Sequence, residues 1–286
     1  MYFDSTQFLL TDYLIFIYLI ITGILIFLFR KNEAIWYLHL LGRLIGVSVI
    51  VFIASEHDNP IIHFIHDWYP LITILIFYWE LGLLAKLIFQ EPLDQQVIDW
   101  EKKLFKCQPS LLFCEQFNYY YLSELLHFSY LAYYPMVIIL PLQFYITNHM
   151  TAFYFTVFAE TCVFYTCLIF YIFFPVAGPR YLFEKNHSLI SQGPIFKWTH
   201  KLLAEHSSKG TAFPSSHVAM ATIVFLCAIY FKTSIAWVLF PFWLGITVGV
   251  VYCRFHYALD AIFGVLVAVV VFSGILSQLL FSTIVP

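Results

Sequence analysis

Long apolar runs separated by short polar segments dominate the sequence. Most runs are near twenty residues long and do not alternate, and a helix needs about twenty apolar residues to cross roughly 30 Å of hydrocarbon. The strands of a membrane barrel would instead give alternating stretches of about ten residues. The pattern predicts an all-α, polytopic membrane helix bundle with about eight transmembrane helices, at residues 13–29, 35–55, 68–90, 121–146, 152–175, 216–231, 234–252 and 258–281.

Composition leads to the same class of protein. Of the 286 residues, 62% are apolar and 11% charged, whereas about a quarter of the residues are charged in a soluble domain. The formal charge of -3 provides no basic field for a polyanion. An ordinary soluble enzyme and a nucleic-acid-binding protein are therefore excluded. The six cysteines show neither CxxC nor metal-ligand spacing, so we expect no metal site and no cofactor.

Three polar stretches interrupt the membrane pattern. In residues 91–118, Leu93, Val97, Trp100 and Leu104 share one helical face, which favours an amphipathic helix in the membrane interface; a plain loop is the alternative. The second stretch is 176–215, and the third is a short link near residue 255. Two predicted spans separate the second stretch from the third. A helical hairpin returns the chain to the side it left, so both stretches face the same membrane surface.

Two short motifs border the second stretch. Phe174-Pro-Val-Ala-Gly-Pro-Arg180 follows the fifth run, and Phe213-Pro-Ser-Ser-His217 leads into the sixth. Free N–H groups at the start of a helix bind anions. A phosphate held there would lie beside the imidazole of His217, which can donate a proton. Arg180 opens the loop that ends at His217 and would add a cation for the same anion.

A third motif, Arg254-Phe-His-Tyr-Ala-Leu-Asp260, leads into the eighth run. His256 and Asp260 are four residues apart and share a helix face. The carboxylate can fix one ring nitrogen, which leaves the other unprotonated and nucleophilic. The three motifs together favour phosphoryl transfer from a lipid: His256 attacks phosphorus and His217 protonates the leaving oxygen. The arginines and the helix amides would hold the remaining oxygens.

These motifs resemble those of the type 2 phosphatidic acid phosphatase superfamily, whose pattern is Lys-x6-Arg-Pro, Pro-Ser-Gly-His and Ser-Arg-x5-His-x3-Asp on a six-helix core. The resemblance covers roughly residues 68–281. It implies two additional N-terminal transmembrane helices in 1–67. It also implies a phosphatase-like catalytic core in 68–286, with an interfacial segment at 91–118 and an active-site loop at 176–217.

The resemblance also implies a role for each matching residue. His256 matches the nucleophile that forms a phosphohistidine, Asp260 its orienting carboxylate, and His217 the general acid. Three further positions match phosphate-binding residues of the family, namely Arg180, Ser215 and Ser216.

The sequence departs from the family pattern at several positions. Ser216 stands where the family has glycine, Phe173 where it has the first-motif lysine, and Val250 where it has the third-motif arginine. Pro179 precedes Arg180, whereas the family has a proline after the arginine. Arg254, two residues before His256, is the phosphate-binding residue expected to replace the missing charge.

Several functions are compatible with this sequence. The first is a lipid phosphatase, in which water resolves the phosphohistidine, and the second is a phosphotransferase, in which a lipid hydroxyl does so. The form of the first and third motifs resembles the inositol phosphorylceramide synthase branch, which implies headgroup transfer. A transporter and a histidine–aspartate metal hydrolase are further alternatives. The expected partners are a lipid phosphate and the bilayer, not nucleic acid; neither the lipid nor the oligomeric state is specified.

Two criteria disagree about the membrane side of the predicted site. Lysines and arginines outside the spans lie almost entirely on the active-site side, with Lys232 alone on the other. The positive-inside rule then places the site in the cytoplasm, whereas most members of the resembling superfamily act on the extracytoplasmic face. The chain is expected to be a multi-pass integral membrane protein, with the side of its site left open.

Overall fold

The computed structural model describes residues 8–30, 35–56, 58–183, 193–206 and 209–284. Parts of the predicted active-site loop, 184–192 and 207–208, lie outside the described residues. Within the described ranges the chain forms thirteen helices and no strand, which confirms the all-α prediction: α1 (Leu10–Leu28), α2 (Trp36–Ser55), α3 (Pro60–Ile88), α4 (Asp94–Phe105), α5 (Pro109–Gln116), α6 (Tyr120–Leu131), α7 (Tyr133–Ile146), α8 (Met150–Phe173), α9 (Pro179–Leu182), α10 (Pro194–His206), α11 (Ser216–Tyr230), α12 (Ala236–Tyr252) and α13 (Ala258–Ile284).

Five described helices are long and apolar enough to cross a membrane: α1, α2, α3, α8 and α13. The pair α6 and α7 passes the same test as one span but is bent by 44°. Helices α11 and α12 are apolar but shorter, with 15 and 17 residues. The prediction of a polytopic helix bundle is confirmed, and the eight predicted runs correspond to these helices.

The bend between α6 and α7 has a local cause. Pro135 lies three residues into α7, and a proline lacks the N–H that would bond to the carbonyl four residues earlier. That carbonyl belongs to Leu131, the last residue of α6. The apolar run 121–146 therefore forms two helices instead of one straight span.

Helix α3 begins at Pro60, earlier than the predicted start of the third span near residue 68. The side chain of Asn59 accepts hydrogen bonds from the N–H groups of Ile61 and Ile62, at 3.0 and 3.4 Å, and proline is favoured in the first helical turn. Polar residues in the first two turns conceal this start in the hydropathy pattern.

The predicted interfacial segment 91–118 forms two helices, α4 and α5, so the plain-loop alternative is wrong. The predicted apolar face of α4 is divided between the protein and its surface. Trp100 and Leu104 are 43% and 62% exposed, while Asp94 and Glu101 are buried together with Val97. Helix α4 therefore turns two carboxylates toward the protein.

Helices α8 and α11 occupy the centre of the bundle. Helix α8 packs against α1, α3, α7, α11 and α13, whereas α2 packs chiefly on α1 and α3. Helix α13 approaches the start of α11 very closely: a Cβ atom at Gly264 would lie 2.6 Å from the carbonyl oxygen of Ser215. Glycine at this position lets the second and third motifs lie side by side.

Candidate active site

A cavity of about 380 Å³, including its opening to solvent, lies where α8 ends and α11 and α13 begin. The rings of His217 and His256 line it with their centroids 5.9 Å apart. Arg180 and Ser216 line it as well, so four of the seven predicted site residues meet here. The other lining residues are Tyr78, Tyr130, Ala177, Tyr181, Leu203, Thr211, Ala212 and Phe255.

Backbone contacts bring the three motifs together. An isolated parallel bridge pairs Val176 with Thr211, and the N–H of Ala212 donates to the carbonyl of Val176 at 2.8 Å. Gly178 has a φ of +98°, and a Cβ atom there would lie 2.9 Å from the carbonyl oxygen of Phe255. Only glycine fits this backbone conformation without strain. The turn of the first motif can therefore lie directly against the third.

The ring of His256 is oriented mainly by a backbone carbonyl. Its Nδ1 atom lies 2.9 Å from the carbonyl oxygen of Ala212 and 3.4 Å from Oδ2 of Asp260. A carbonyl can only accept, so Nδ1 carries the proton and Nε2 keeps its lone pair. Oδ2 of Asp260 also accepts the N–H of Tyr257 at 2.8 Å. Ala212 is thus the nearer orienting partner, and Asp260 the more distant one.

The surroundings of His256 favour its neutral form. Burial lowers the pKa of this imidazole to about 4; the positive charge of Arg180 acts in the same direction, and the hydrogen bond to Ala212 opposes both. A charged imidazole would lose its hydration in this cavity. His256 is therefore an uncharged imidazole at neutral pH, with a lone pair on Nε2.

His217 lies in an aromatic pocket in the first turn of α11. Its ring stacks on Tyr130 at 4.6 Å between centroids and contacts Tyr133 at 4.5 Å. Its Nδ1 atom is buried and has no hydrogen-bond partner among the described residues. The aromatic contacts hold the ring plane, and the imidazole faces the same cavity as His256.

The two serines of the second motif differ in position. Ser215 is the N-cap of α11: its Oγ accepts from the N–H of Val218 at 3.4 Å, and its own N–H donates to the carbonyl of Asp260 at 2.9 Å. The N–H of Ser216 donates to the hydroxyl of Tyr171 at 3.1 Å. Both backbone N–H groups therefore already donate to acceptors in the protein. Of the serine groups predicted to bind phosphate, the side chain of Ser216 is the one that can contact a ligand in the cavity.

The two predicted phosphate-binding arginines lie in different places. Arg180, in α9, donates to the hydroxyl of Tyr181 and lies over that ring, with its Cζ 4.4 Å from the centroid. Arg254 has a φ of +60°, and its Nη2 lies 3.6 Å from Oε1 of Glu115 in α5. Arg254 does not line the cavity, so the structure brings only Arg180 to the predicted phosphate position.

Two carboxylates of α4 hold the site together and were not predicted. Asp94 accepts the N–H groups of Ala177 and Gly178, each at 2.8 Å, and the hydroxyl of Tyr257 at 3.0 Å. Glu101 accepts the N–H of Leu259 at 3.1 Å, and burial raises its pKa to about 7. Acidic residues on an amphipathic helix ordinarily indicate a solvated face, so the sequence carried no signal for this clamp.

The described residues contain no group of three or more histidine, cysteine, aspartate or glutamate side chains placed to hold a metal ion. The nearest candidates at the site, His217, His256 and Asp260, form an acid–base arrangement, with Asp260 behind His256 and bonded to backbone N–H.

A family model described as the PAP2 superfamily matches residues 95–274. This match spans more than half of the chain, from α4 into α13, and contains all seven predicted site residues. The chain belongs to the PAP2 superfamily. Comparisons with curated proteins and with solved structures gave no match.

Membership confirms the superfamily that the motifs resemble, without distinguishing a branch. PAP2 proteins are phosphatases or phosphotransferases, so the chain is a phosphatase-type membrane enzyme at the level of the family. Together with five candidate spans, membership indicates an integral membrane protein.

Proposed function

We propose that this PAP2 protein cleaves a lipid phosphate through a phosphohistidine formed on His256. The observation that carries the proposal is the pair of imidazoles, His217 and His256, lining one cavity with ring centroids 5.9 Å apart. Arg180 lies at the same cavity, which opens at the end of apolar helices where a lipid headgroup would lie.

The first chemical step uses both histidines. Nε2 of His256 attacks phosphorus and forms an N–P bond, while the P–O bond to the leaving group breaks. His217 enters this step protonated, transfers that proton to the departing oxygen and becomes neutral, while Arg180 and Ser216 bind the non-bridging oxygens. In the second step water or a lipid hydroxyl attacks phosphorus, His217 accepts its proton, and the N–P bond breaks to restore neutral His256.

The charge of the cavity supports transfer from a phosphodiester as a second candidate. Arg180 is the only lysine or arginine among the described residues that line the cavity. A phosphomonoester carries nearly two negative charges at pH 7, because its second pKa is about 6, whereas a phosphodiester carries one. A single cation offsets a phosphodiester more completely. This argument favours headgroup transfer of the inositol phosphorylceramide synthase type.

We propose further that the catalytic core extends over residues 68–286, with α1 and α2 as additional helices. The family match begins only at residue 95. Tyr78 of α3 nevertheless lines the cavity, which supports assigning this part of α3 to the core.

The test is to incubate the purified protein with radiolabelled phosphatidic acid and with labelled phosphodiester lipids. Free phosphate indicates hydrolysis, and a new headgroup-bearing lipid indicates transfer. A phosphorylated protein whose phosphate is labile in acid and stable in base would identify the intermediate.

His256→Ala should abolish turnover and labelling, because no other group replaces the nucleophile. His217→Ala should lower turnover by about 10²- to 10⁴-fold, the usual contribution of a general acid.

The matched control is His149→Ala. His149 is an exposed histidine at the start of α8, the end of this helix that lies away from the cavity. This variant should retain wild-type turnover. Wild-type turnover in His256→Ala would exclude the mechanism. A folded protein that turns over no phospholipid would favour a transporter instead.

A further inference from the structure

A second large opening lies at the end of the bundle away from the catalytic cavity. It is a groove of about 1760 Å³, including its open side, bounded mainly by α1, α8 and α13. It is formed by the start of α1, the start of α8 and the later turns of α13, whereas the catalytic cavity lies at the end of α8 and the start of α13. Most of its wall is apolar: Leu9, Leu10, Phe155, Val157, Phe158, Cys162, Val271 and Ile275.

The groove also contains buried polar groups. Asp67, which is 1% exposed, lines it and accepts the hydroxyl of Tyr154 at 2.7 Å. Thr11 lines it and is 4% exposed, yet its hydroxyl has no hydrogen-bond partner among the described residues. A buried hydroxyl without a partner is costly in an apolar medium. The groove is therefore a place where a ligand with its own polar group would be stabilised.

We propose that this groove binds a membrane lipid whose headgroup donates hydrogen bonds and carries no negative charge, such as diacylglycerol. The walls belong to membrane-spanning helices, so lipid acyl chains contact the apolar part of the groove. The carboxylate of Asp67 can accept from a lipid hydroxyl, and the hydroxyl of Thr11 can pair with the same headgroup.

Charge distinguishes this lipid from the proposed substrate. No lysine or arginine is among the described residues that line the groove, and the carboxyl group of Asp67 offers a phosphate no positive charge. The catalytic cavity contains Arg180 and would attract one. The two openings thus select lipids of different charge in opposite leaflets, and binding in the groove does not depend on the proposed catalytic mechanism.

Two glycines provide a matched pair of variants. Gly274 lines the groove, and a Cβ atom built there meets no atom within 4 Å. Gly42 in α2 has the same open surroundings but lies outside the groove. A Cβ atom meets no clash at either position, and leucine is a better helix former than glycine. Gly274→Leu therefore fills the groove, whereas Gly42→Leu adds the same side chain elsewhere.

The experiment is photolabelling of the purified full chain with a diazirine-bearing diacylglycerol, followed by mapping of the modified peptides. We expect adducts on α1, α8 and α13. Gly274→Leu should reduce them at least about tenfold at subsaturating probe, because lost contacts worth about 1.4 kcal/mol correspond to that factor. Gly42→Leu and His256→Ala should label like the wild type. A phosphatidic acid probe should label the groove far less.

Three results would overturn the proposal. These are equal labelling of the two leucine variants, equal labelling of the groove by the anionic and the neutral probe, or no labelling of the wild type. Since His256→Ala serves as a labelling control, failure of the catalytic mechanism would not affect the reading of this experiment.

Discussion

The reactive nitrogen of His256 depends on a group that residue types do not reveal. The carbonyl of Ala212 holds Nδ1 in its protonated form at 2.9 Å, and this leaves Nε2 free. A carboxylate four residues away, Asp260, had been expected in that role, but it lies 3.4 Å from Nδ1 and also binds a backbone N–H. The spacing of His256 and Asp260 predicted that the two side chains lie on one side of the chain's turn into α13, whereas the nearer hydrogen-bond partner of His256 required the fold.

The low pKa of His256 predicts an unusual pH profile. Because this pKa is lowered to about 4, the neutral nucleophile predominates above pH 4, and kcat/KM should fall on the acid side near pH 4 instead of near 6.5. Arg180→Met removes a positive charge that lowers the pKa, so the acid limb should move to higher pH and turnover should fall. The measurement is kcat/KM from about pH 3 to 8 with a phosphodiester substrate, which does not titrate in this range.

Lys103→Met is the control for this prediction, since Lys103 is an exposed cation on α4 away from the cavity. Its profile should coincide with that of the wild type. An acid limb near pH 6.5 in the wild type, or one that does not respond to Arg180→Met, would contradict the assignment of that limb to His256.

The sequence motifs predicted the positions of some site residues better than those of others. The cavity is lined by Arg180, His217 and His256. Each of them lies at the end or the start of an apolar helix, and these helix ends lie together at one end of the bundle. Arg254 follows the same rule, but its left-handed backbone directs it toward Glu115. A single backbone conformation of this kind is not visible in a pattern of residue types.

At the scale of helices, α4 shows what an apolar periodicity leaves out. The periodicity predicted an interfacial helix and gave no sign that Asp94 and Glu101 would be buried against the protein. These carboxylates are buried because backbone N–H groups of the catalytic turns donate to them. Trp100 stacks on Phe174 at 5.6 Å along the flank of the same helix. Hydrogen bonding to distant turns thus overrides local hydropathy.

The clamp made by Asp94 predicts a stability effect. Asp94→Ala would leave two backbone N–H groups and the hydroxyl of Tyr257 without their acceptor. Each buried donor that loses its partner costs about 1–3 kcal/mol, so the free energy of unfolding should fall by at least about 3 kcal/mol. Thermal unfolding in detergent would measure this change, and turnover should fall as the first motif loosens.

Asp99→Ala on the same helix is the matched control. Asp99 is exposed and accepts a hydrogen bond from the side chain of Gln95 at 2.9 Å. We expect its Tm to remain within a degree or two of the wild type, as for most exposed substitutions. Equal Tm values for Asp94→Ala and Asp99→Ala would show that the clamp adds nothing to stability.

At the scale of the whole molecule, an ion pair joins the N-terminal helices to the rest of the bundle. Arg43 of α2 forms two hydrogen bonds with Glu80 of α3, at 2.9 and 3.0 Å. Its Nε donates to Thr22 of α1 at 3.1 Å, and His39 lies 3.4 Å from Glu80. The hydropathy pattern located all three helices but gave no partner for either charge, because pairing across helices depends on their packing.

The partly buried pair predicts a marked difference between single and double substitutions. Glu80→Leu leaves the guanidinium of Arg43 without its carboxylate between apolar helices; breaking a fully buried pair costs about 3–5 kcal/mol, and this partly buried pair should cost less. Replacing both partners, Arg43→Leu with Glu80→Leu, removes the unpaired charge, so the Tm measured by thermal unfolding in detergent should return close to the wild-type value.

The double variant should also retain turnover, because Arg43 and Glu80 do not line the catalytic cavity and both precede the family match. If the single and double variants unfold at the same temperature, side-chain packing and not charge pairing holds α1 and α2 to the catalytic helices.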